Sequence, residues 1–250
     1  MIESKSNAKV KKLVQLGTKK GRRENCEYLI EGIHMVREAV KFGVPLVEIF
    51  VSNSAEKQVL SDISGVMCDI TTLSDSVFEY VSKTLNTQGV LAVAKIQEES
   101  DLDLSRKFLV LDHIQDPGNM GTIIRTAAAT GYDQIVLLNC VDIFNPKTVR
   151  STSSGLFFVS FCSKKTDEIV ELSKNVPLLA ATAEGENVFC ASNLPIGGAF
   201  GLVIGNEANG VSQELKDVSR LVALPMNPRV ESLNAAVSAS VLMYVLGNLK

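Results

Sequence analysis

The chain is poor in the residues that build metal and disulfide scaffolds. It has two histidines, His34 and His113, and five cysteines, Cys26, Cys68, Cys140, Cys162 and Cys190, of which no two are closer than 22 residues. An odd number of widely spaced thiols argues against a disulfide framework, and no Cys/His grouping has zinc-ligand spacing, so no metal is expected. No apolar run approaches the ~18 residues needed to cross a bilayer. The amino terminus, Met1-Ile2-Glu3-Ser4-Lys5, lacks the apolar core of a secretory signal, which makes the cytoplasm the expected location. Three familiar signatures are also missing: G-x-G-x-x-G after an early strand, G-x-x-x-x-G-K-[ST], and the G-x-S-x-G elbow. Neither a dinucleotide fold, a P-loop nor an α/β-hydrolase is supported.

A surplus of positive charge is absent too. The net charge is -3 and the isoelectric point about 5.6, which taken as an average counts against a nucleic-acid partner. The distribution says otherwise. Residues 1–23 carry Lys5, Lys9, Lys11, Lys12, Lys19, Lys20, Arg22 and Arg23 against Glu3 alone, so this segment is +7 and the remainder -10. Such a cluster can release counterions from phosphates and supply sequence-independent affinity for RNA, with Lys9, Lys12, Lys19, Lys20, Arg22 and Arg23 as the candidate contacts. The same residues also suit a solvated amphipathic helix with Val10, Leu13, Val14 and Leu16 turned inward.

What is present is the composition of a globular protein: 250 residues, 46% apolar and 21% charged, enough for one large or two modest domains. After the basic leader, short apolar runs alternate with helical periodicity. Strands are expected at Glu27–Ile30, Leu46–Val51, Val66–Ile70 and Val90–Ile96. Helices are expected from Ile33 to Val40, near Ser54–Leu60 and near Ser74–Val81, with His34 at a core or boundary position. Residues 97–106, Gln-Glu-Glu-Ser-Asp-Leu-Asp-Leu-Ser-Arg, are polar and acidic and read as a linker. The division expected is a first domain at 1–97, a linker at 98–106 and a second domain at 107–250. The second domain has strand-like runs at Phe108–Leu111, Ile135–Leu138, Phe157–Phe161, Leu178–Ala181, Gly201–Ile204 and Leu221–Leu224, then a helix at Asn234–Leu249. That pattern predicts an α/β unit with a buried, mostly parallel sheet.

Ligands of open parallel sheets bind beyond the carboxyl ends of the strands, and three loops there are unusual. The first runs Asp112-His113-Ile114-Gln115-Asp116-Pro117-Gly118-Asn119-Met120-Gly121 into a helix with Arg125. The second, Gly205-Asn206-Glu207-Ala208-Asn209-Gly210, brackets a carboxylate with two glycines, which would let the backbone approach a ligand. The third is Leu224-Pro225-Met226 followed by Glu231-Ser232-Leu233-Asn234. Each can be read more plainly as a turn or a helix cap, Ser232 or Asn234 capping the last helix. His113 stands beside the first loop and is a candidate for a place near substrate.

In this order the three loops resemble the signature motifs of the SpoU/TrmH family of RNA ribose 2'-O-methyltransferases, in the SPOUT class. Asp116 to Gly121 with Arg125-Thr126-Ala127 resembles the first motif, Gly205 to Gly210 the second, and Leu224-Pro225-Met226 with Ser232-Leu233-Asn234 the third. The likeness runs from about Phe108 onward. The first domain is similar, more loosely, to the substrate-binding domain of the rRNA-directed branch at Glu27-Tyr28-Leu29-Ile30-Glu31-Gly32 and at Thr87-Gln88-Gly89-Val90-Leu91-Ala92-Val93, although Asn86-Thr87 stands where relatives often have proline before Gln-Gly.

The resemblance implies a carboxyl-terminal SPOUT domain with a deep trefoil knot, preceded by a small α/β RNA-binding domain. It further implies S-adenosylmethionine as cofactor, a homodimer that completes the active site, and methylation of a ribose 2'-hydroxyl in structured RNA, 23S-type rRNA before tRNA. Carried over by motif, Arg125, Asn119, Glu207, Ser232 and Asn234 fall at the catalytic positions. Gly205, Leu224, Met226, Leu233 and Thr182 would form the cofactor pocket, and Arg150 reads equally as a second phosphate contact or as an exposed helix arginine. A guanidinium is almost never neutral, so Arg125 is better read as stabilising the developing 2'-oxyanion than as a base. Two other readings share the motifs: an RNA-binding protein that kept the fold without catalysis, and a SPOUT enzyme acting on a base nitrogen.

Overall fold

The computed structural model describes residues 1–63, 65–82, 84, 87–191, 194–195 and 198–248. In chain order the first elements are α1 (Ala8–Leu16), α2 (Lys19–Asn25), β1 (Glu27–Glu31), α3 (Ile33–Lys41), β2 (Leu46–Ser52), α4 (Glu56–Asp62), β3 (Asp69–Leu73), α5 (Asp75–Val81) and β4 (Val90–Lys95). They are followed by β5 (Phe108–Asp112), α6 (Pro117–Thr130), β6 (Gln134–Leu138), α7 (Pro146–Thr152), β7 (Ser160–Ser163), α8 (Thr166–Leu172), β8 (Leu178–Asn187), β9 (Gly201–Ile204), α9 (Gln213–Asp217), β10 (Arg220–Ala223) and α10 (Ala235–Asn248). Two compact units result, one of residues 1–97 with 142–157, the other of 98–141 with 158–250. Among the described residues no helix is long and apolar enough to cross a membrane.

The first unit is built on a four-stranded sheet of order β1-β4-β2-β3, in which β4 runs antiparallel to both neighbours and β2 pairs with β3 in parallel. Strand β4 is central, and five of its six residues are buried, as expected of a strand covered on both faces. Helix α1 starts at Asn7, whose side chain accepts the Lys9 N–H. Its spacing of Val10, Leu13 and Leu16 turns those three into a core with Leu29, Phe50, Phe78 and Leu91. Val14, read from sequence as inward, lies 37% exposed, because it sits about 100° around the helix from Leu13.

Three expectations move. The strand expected at Val66–Ile70 is β3, displaced to Asp69–Leu73; Met67 is fully exposed, and the β-branched Thr71 and Thr72 pair with Phe50 and Val51 instead. The strand expected at Phe157–Phe161 is β7, at Ser160–Ser163, after a 3-10 turn at Gly155–Phe158. His34 is exposed. Asn86 and the expected helix end at Leu249 lie outside the described residues.

The segment 142–157, placed by the sequence division in the second domain, belongs to the first unit. Its packing shows why. Phe144 stacks against Tyr28 of β1 at 4.8 Å between ring centroids, and Asp142 takes two hydrogen bonds from Arg22, at 2.6 and 3.0 Å. Arg22 is 2% exposed and spends a third donor on the Leu16 carbonyl, 3.0 Å away.

In the second unit six strands form an all-parallel sheet of order β10-β8-β9-β5-β6-β7. One face is closed by Ile169 of α8 and Leu215 of α9, packed with Phe108, Val136, Leu178 and Val203. Helices α6 and α10 pack on each other, linked by a 2.9 Å hydrogen bond between Thr126 and Ser240. The stretch 98–106, expected as a linker, is fastened to this unit: Glu99 accepts from Ser163, the Ser100 N–H bonds to Phe161, and Asp103 exchanges two hydrogen bonds with the Gln134 side chain. Strand β8 runs to Asn187, well past the Ala181 expected. Its ladder with β10 jumps from Ala180 opposite Leu221 to Glu186 opposite Val222, so Ala181 to Gly185 leave the register. Gly185 allows the return, since a Cβ there would lie 2.6 Å from the Val222 backbone.

Arg22→Ala would leave Asp142 Oδ2 and the Leu16 carbonyl without the guanidinium that serves both, while Asp142 Oδ1 keeps the Phe144 N–H. The expected cost is about 3 kcal/mol, the low end for a buried pair because Asp142 is partly exposed. Urea unfolding should show a lowered midpoint, and Arg22→Ala combined with Asp142→Ala should lose less than the two single changes together.

Candidate active site and nucleic-acid interface

The three loops singled out in the sequence meet at the carboxyl ends of β5, β9 and β10. The first is shaped by Asp112 and Asp116. Asp112 is buried and accepts the Ser212 N–H at 2.7 Å and the His113 Nδ1–H at 2.6 Å, the latter bond depending on the tautomer. Asp116 caps α6 by accepting the Asn119 N–H at 2.8 Å, with Pro117 at the first helical position. Asn119 is therefore inside the helix rather than at its start.

Asn119 joins the loops. Its Nδ2 donates to Glu207 Oε1 at 2.9 Å, and its Oδ1 accepts from Asn234 Nδ2, also at 2.9 Å. Asn234 in turn caps α10 by accepting the Ala236 and Val237 N–H groups, as the plainer reading expects, and the same side chain reaches Asn119 across the loops. Glu207 Oε2 has no hydrogen-bond partner among the described residues. Asn206 ties the second loop to the first by donating to the His113 carbonyl at 2.8 Å.

The glycines of the second loop serve the loop itself. Asn206 and Gly210 exchange two backbone hydrogen bonds, 3.0 and 2.9 Å long, and a Cβ on Gly205 would stand 2.1 Å from the Gly210 backbone. To the sequence reading, in which glycine lets a ligand approach, the turn adds a second reason: Gly205 is small because Gly210 and Val211 close upon it.

Between these loops lies a cleft of about 260 Å³. Gly205, Leu224, Met226, Leu233 and Thr182 all line it, as do Glu207 and Ser232. Thr182 comes from the out-of-register stretch of β8, so the irregularity of that strand forms a wall of the cleft. The walls suit S-adenosylmethionine: apolar side chains for an adenine and a thioether, Glu207 and Glu231 at the cleft for a cationic ligand, and the Thr182 hydroxyl, buried without a partner and so in need of one.

Arg125 is not brought to Asn119. Six residues on a helix fall about 120° short of two turns, Arg125 does not line the cleft, and it is exposed without a hydrogen bond or ion pair among the described residues. Asn119 and Glu207 hold each other and Asn234, not Arg125. Beside it, α10 exposes Val237, Val241 and Tyr244 in a helical stripe, continued by Leu233.

The expected RNA contacts divide. Arg22 is buried in its pair with Asp142 and is unavailable. Lys9 is held by Glu48 and Thr71, Lys12 by Glu27 at 2.6 Å, and Arg150 by Glu31 at 3.0 Å. Burial pushes the Glu27 carboxyl up, but hydrogen bonds and charge from Lys12 and Lys95 outweigh it and hold the group below its ordinary value. Lys20 keeps a loose 3.7 Å contact with Glu24. Lys19 and Arg23 are exposed and unpaired among the described residues, as is Lys11, which the sequence reading did not single out. The signal that could have separated them is helical spacing on α1 and α2.

Comparison with known proteins places this geometry. The chain is 37% identical over 248 residues to the 23S rRNA (guanosine(2553)-2'-O)-methyltransferase RlmP of Bacillus subtilis, covering 98% of each. It is 32% identical to an uncharacterized tRNA/rRNA methyltransferase of Synechocystis, covering 97% of this chain and 92% of that one. The crystal structure of an AdoMet-bound rRNA methyltransferase from Sinorhizobium meliloti superposes with a TM-score of 0.84 at 25% identity, covering 98% and 96% of the two chains. Residues 7–92 match an MRM3-like substrate binding domain. Residues 106–244 match the SpoU rRNA Methylase family, and with the motif loops meeting at one cleft, the chain belongs to that family.

Proposed function

We propose that this protein transfers a methyl group from S-adenosylmethionine to a ribose 2'-hydroxyl of ribosomal RNA of the 23S type, in the cytoplasm. The observation that carries the reading is the hydrogen-bonded series Glu207, Asn119, Asn234, which draws the three motif loops around a cleft whose walls suit that cofactor. The Bacillus subtilis relative, named as a 23S rRNA 2'-O-methyltransferase, supports the substrate class. When bound, the cofactor supplies an electrophilic methyl on a sulfonium.

The residues divide the remaining work. Gly205, Leu224, Met226, Leu233 and Thr182 hold and orient the cofactor. Asn119 and Asn234 fix the carboxylate of Glu207, whose free Oε2 is placed to accept a hydrogen bond from a ligand. Ser232, on the third loop, is placed to touch the substrate. Arg125 stabilises charge developing on the 2'-oxygen and holds the neighbouring phosphate, a role that a planar fork of donors suits. Alignment of the two reactants contributes much of the barrier reduction.

In one copy Arg125 stands away from the cleft, next to the apolar stripe of α10. The active enzyme in this reading is a homodimer closed through that stripe, with Arg125 of a second copy completing the site. The knotted threading of the last segment belongs to the same proposal; closure of one cleft by residues from β8, β9 and the stretch between β10 and α10 supports it.

Purified protein incubated with S-adenosylmethionine and rRNA should yield a 2'-O-methylated nucleoside after nuclease digestion and mass spectrometry; base methylation, or none, would refute the assignment. Arg125→Ala is expected to lower turnover by about 10²–10³-fold or more while calorimetry shows cofactor affinity unchanged. Gly205→Ala should do the opposite, with cofactor binding lost first because the loop cannot close. Val241→Glu should convert a dimer into a monomer by analytical ultracentrifugation and abolish methyl transfer with it.

A further inference from the structure

The first unit contains a second cavity, of about 100 Å³, distant in sequence from the motif loops. Val14, Leu29 and Leu91 provide apolar wall, Tyr80 stands at its edge half exposed, and Glu31 and Arg150 supply the polar groups. The carboxylate of Glu31 is nearly buried and accepts from Ser82, Thr84 and Arg150 Nη1. Arg150 is thus clamped by one nitrogen, while its Nε and Nη2 have no partner among the described residues. At the edge, Lys5 Nζ lies 4.7 Å from the centre of the Tyr80 ring.

These features select a ligand chemistry. The volume is well below the ~300–1,000 Å³ of sites for larger organic ligands, so a single planar ring system fits and a whole nucleotide does not. Apolar walls with an aromatic edge stack a ring. A guanidinium fixed by a carboxylate aims donors at paired acceptors, which on a base are the N7 and O6 of guanine, or N7 alone of adenine. Lys5, Lys11, Lys19 and Arg23, on or next to the helices that wall this cavity, provide the positive surface that a phosphate backbone needs. Proteins that read single-stranded or looped RNA use this combination of stacking and edge contacts.

We propose that this cavity is a base slot, which takes an unpaired purine of the RNA substrate, guanine before adenine, while the nucleotide to be methylated occupies the other unit. The slot rests on the RNA-methylating reading of the chain. It gives Arg150 the role of reading a base edge, and turns the Glu31 ion pair into the device that holds the guanidinium in plane.

The test uses the full-length protein and two probes. GMP, AMP and CMP titrated into isotopically labelled protein should shift the Val14 amide and Arg150 Nε resonances in the order GMP, then AMP, with CMP inert; unmoved resonances overturn the slot. With rRNA and S-adenosylmethionine, Val14→Trp, which fills the cavity from its edge, should raise the KM for rRNA at least tenfold and leave kcat unchanged. Arg150→Lys, which keeps the charge on Glu31 but not the fork, should erase the GMP preference over AMP. Thermal melting checks that both variants fold. If the wild type methylates rRNA and Val14→Trp keeps its KM, the slot is wrong and the methyltransferase reading stands. If GMP shifts the slot resonances and no methyl is transferred, the slot stands and the activity reading fails.

Discussion

One amide side chain holds the site together. Asn119 uses its nitrogen on Glu207 and its oxygen on Asn234, so a donor and an acceptor a few ångströms apart pull together loops that are 88 and 115 residues distant in sequence. An amide does this without carrying charge: a carboxylate would repel Glu207, and an ammonium could not accept from Asn234. The position of Asn119 is itself fixed one step back, by Asp116 capping the same helix, and that helix by the buried strand β5. The cleft is therefore the product of a parallel sheet that delivers loop ends to one edge and an amide that fastens them.

The first unit shows how a net count of charge misleads twice. Averaged over the chain, the count hides a basic leader; taken at face value, the leader overstates the surface available to RNA. Lys9, Lys12 and Arg22 are matched to Glu48, Glu27 and Asp142, acids that sequence places far away. A charge run in sequence states how many cations there are. Which of them face solvent is decided by helix phase and by the acids of β1, β2 and the 142–157 segment, and neither is visible in the leader alone.

Much of the second unit could be read in advance because its signals are local. Phe108–Leu111, Ile135–Leu138 and Gly201–Ile204 are apolar runs bounded by turn residues, and all three form strands at or within one residue of those limits. What escaped was set by partners. The out-of-register stretch of β8 depends on β10 resuming its pairing at Val222 opposite Glu186, 36 residues apart in sequence, and the polar run Ala181–Asn187 carries no strand periodicity of its own. Asp112 also went unnoticed as a site residue, although it is buried under the first two loops, because a lone acid at a strand end has no distinguishing spacing. Arg125 is legible as a residue type and a motif position, but six residues of α6 turn it about 120° away from Asn119, and the motif alone does not give that direction.

The excursion of residues 142–157 has a consequence for biosynthesis. Tyr28, Arg22 and Glu31 receive their partners from Phe144, Asp142 and Arg150, so the first unit cannot finish when residue 97 leaves the ribosome. It waits for β5, α6 and β6 to be made, and only then closes. Domains usually mature in order from the amino terminus; here the order is interleaved, and Arg22 is without Asp142 for as long as some forty-five further residues take to emerge. The first unit is one body built from two stretches of chain, and the later stretch sets when it is complete.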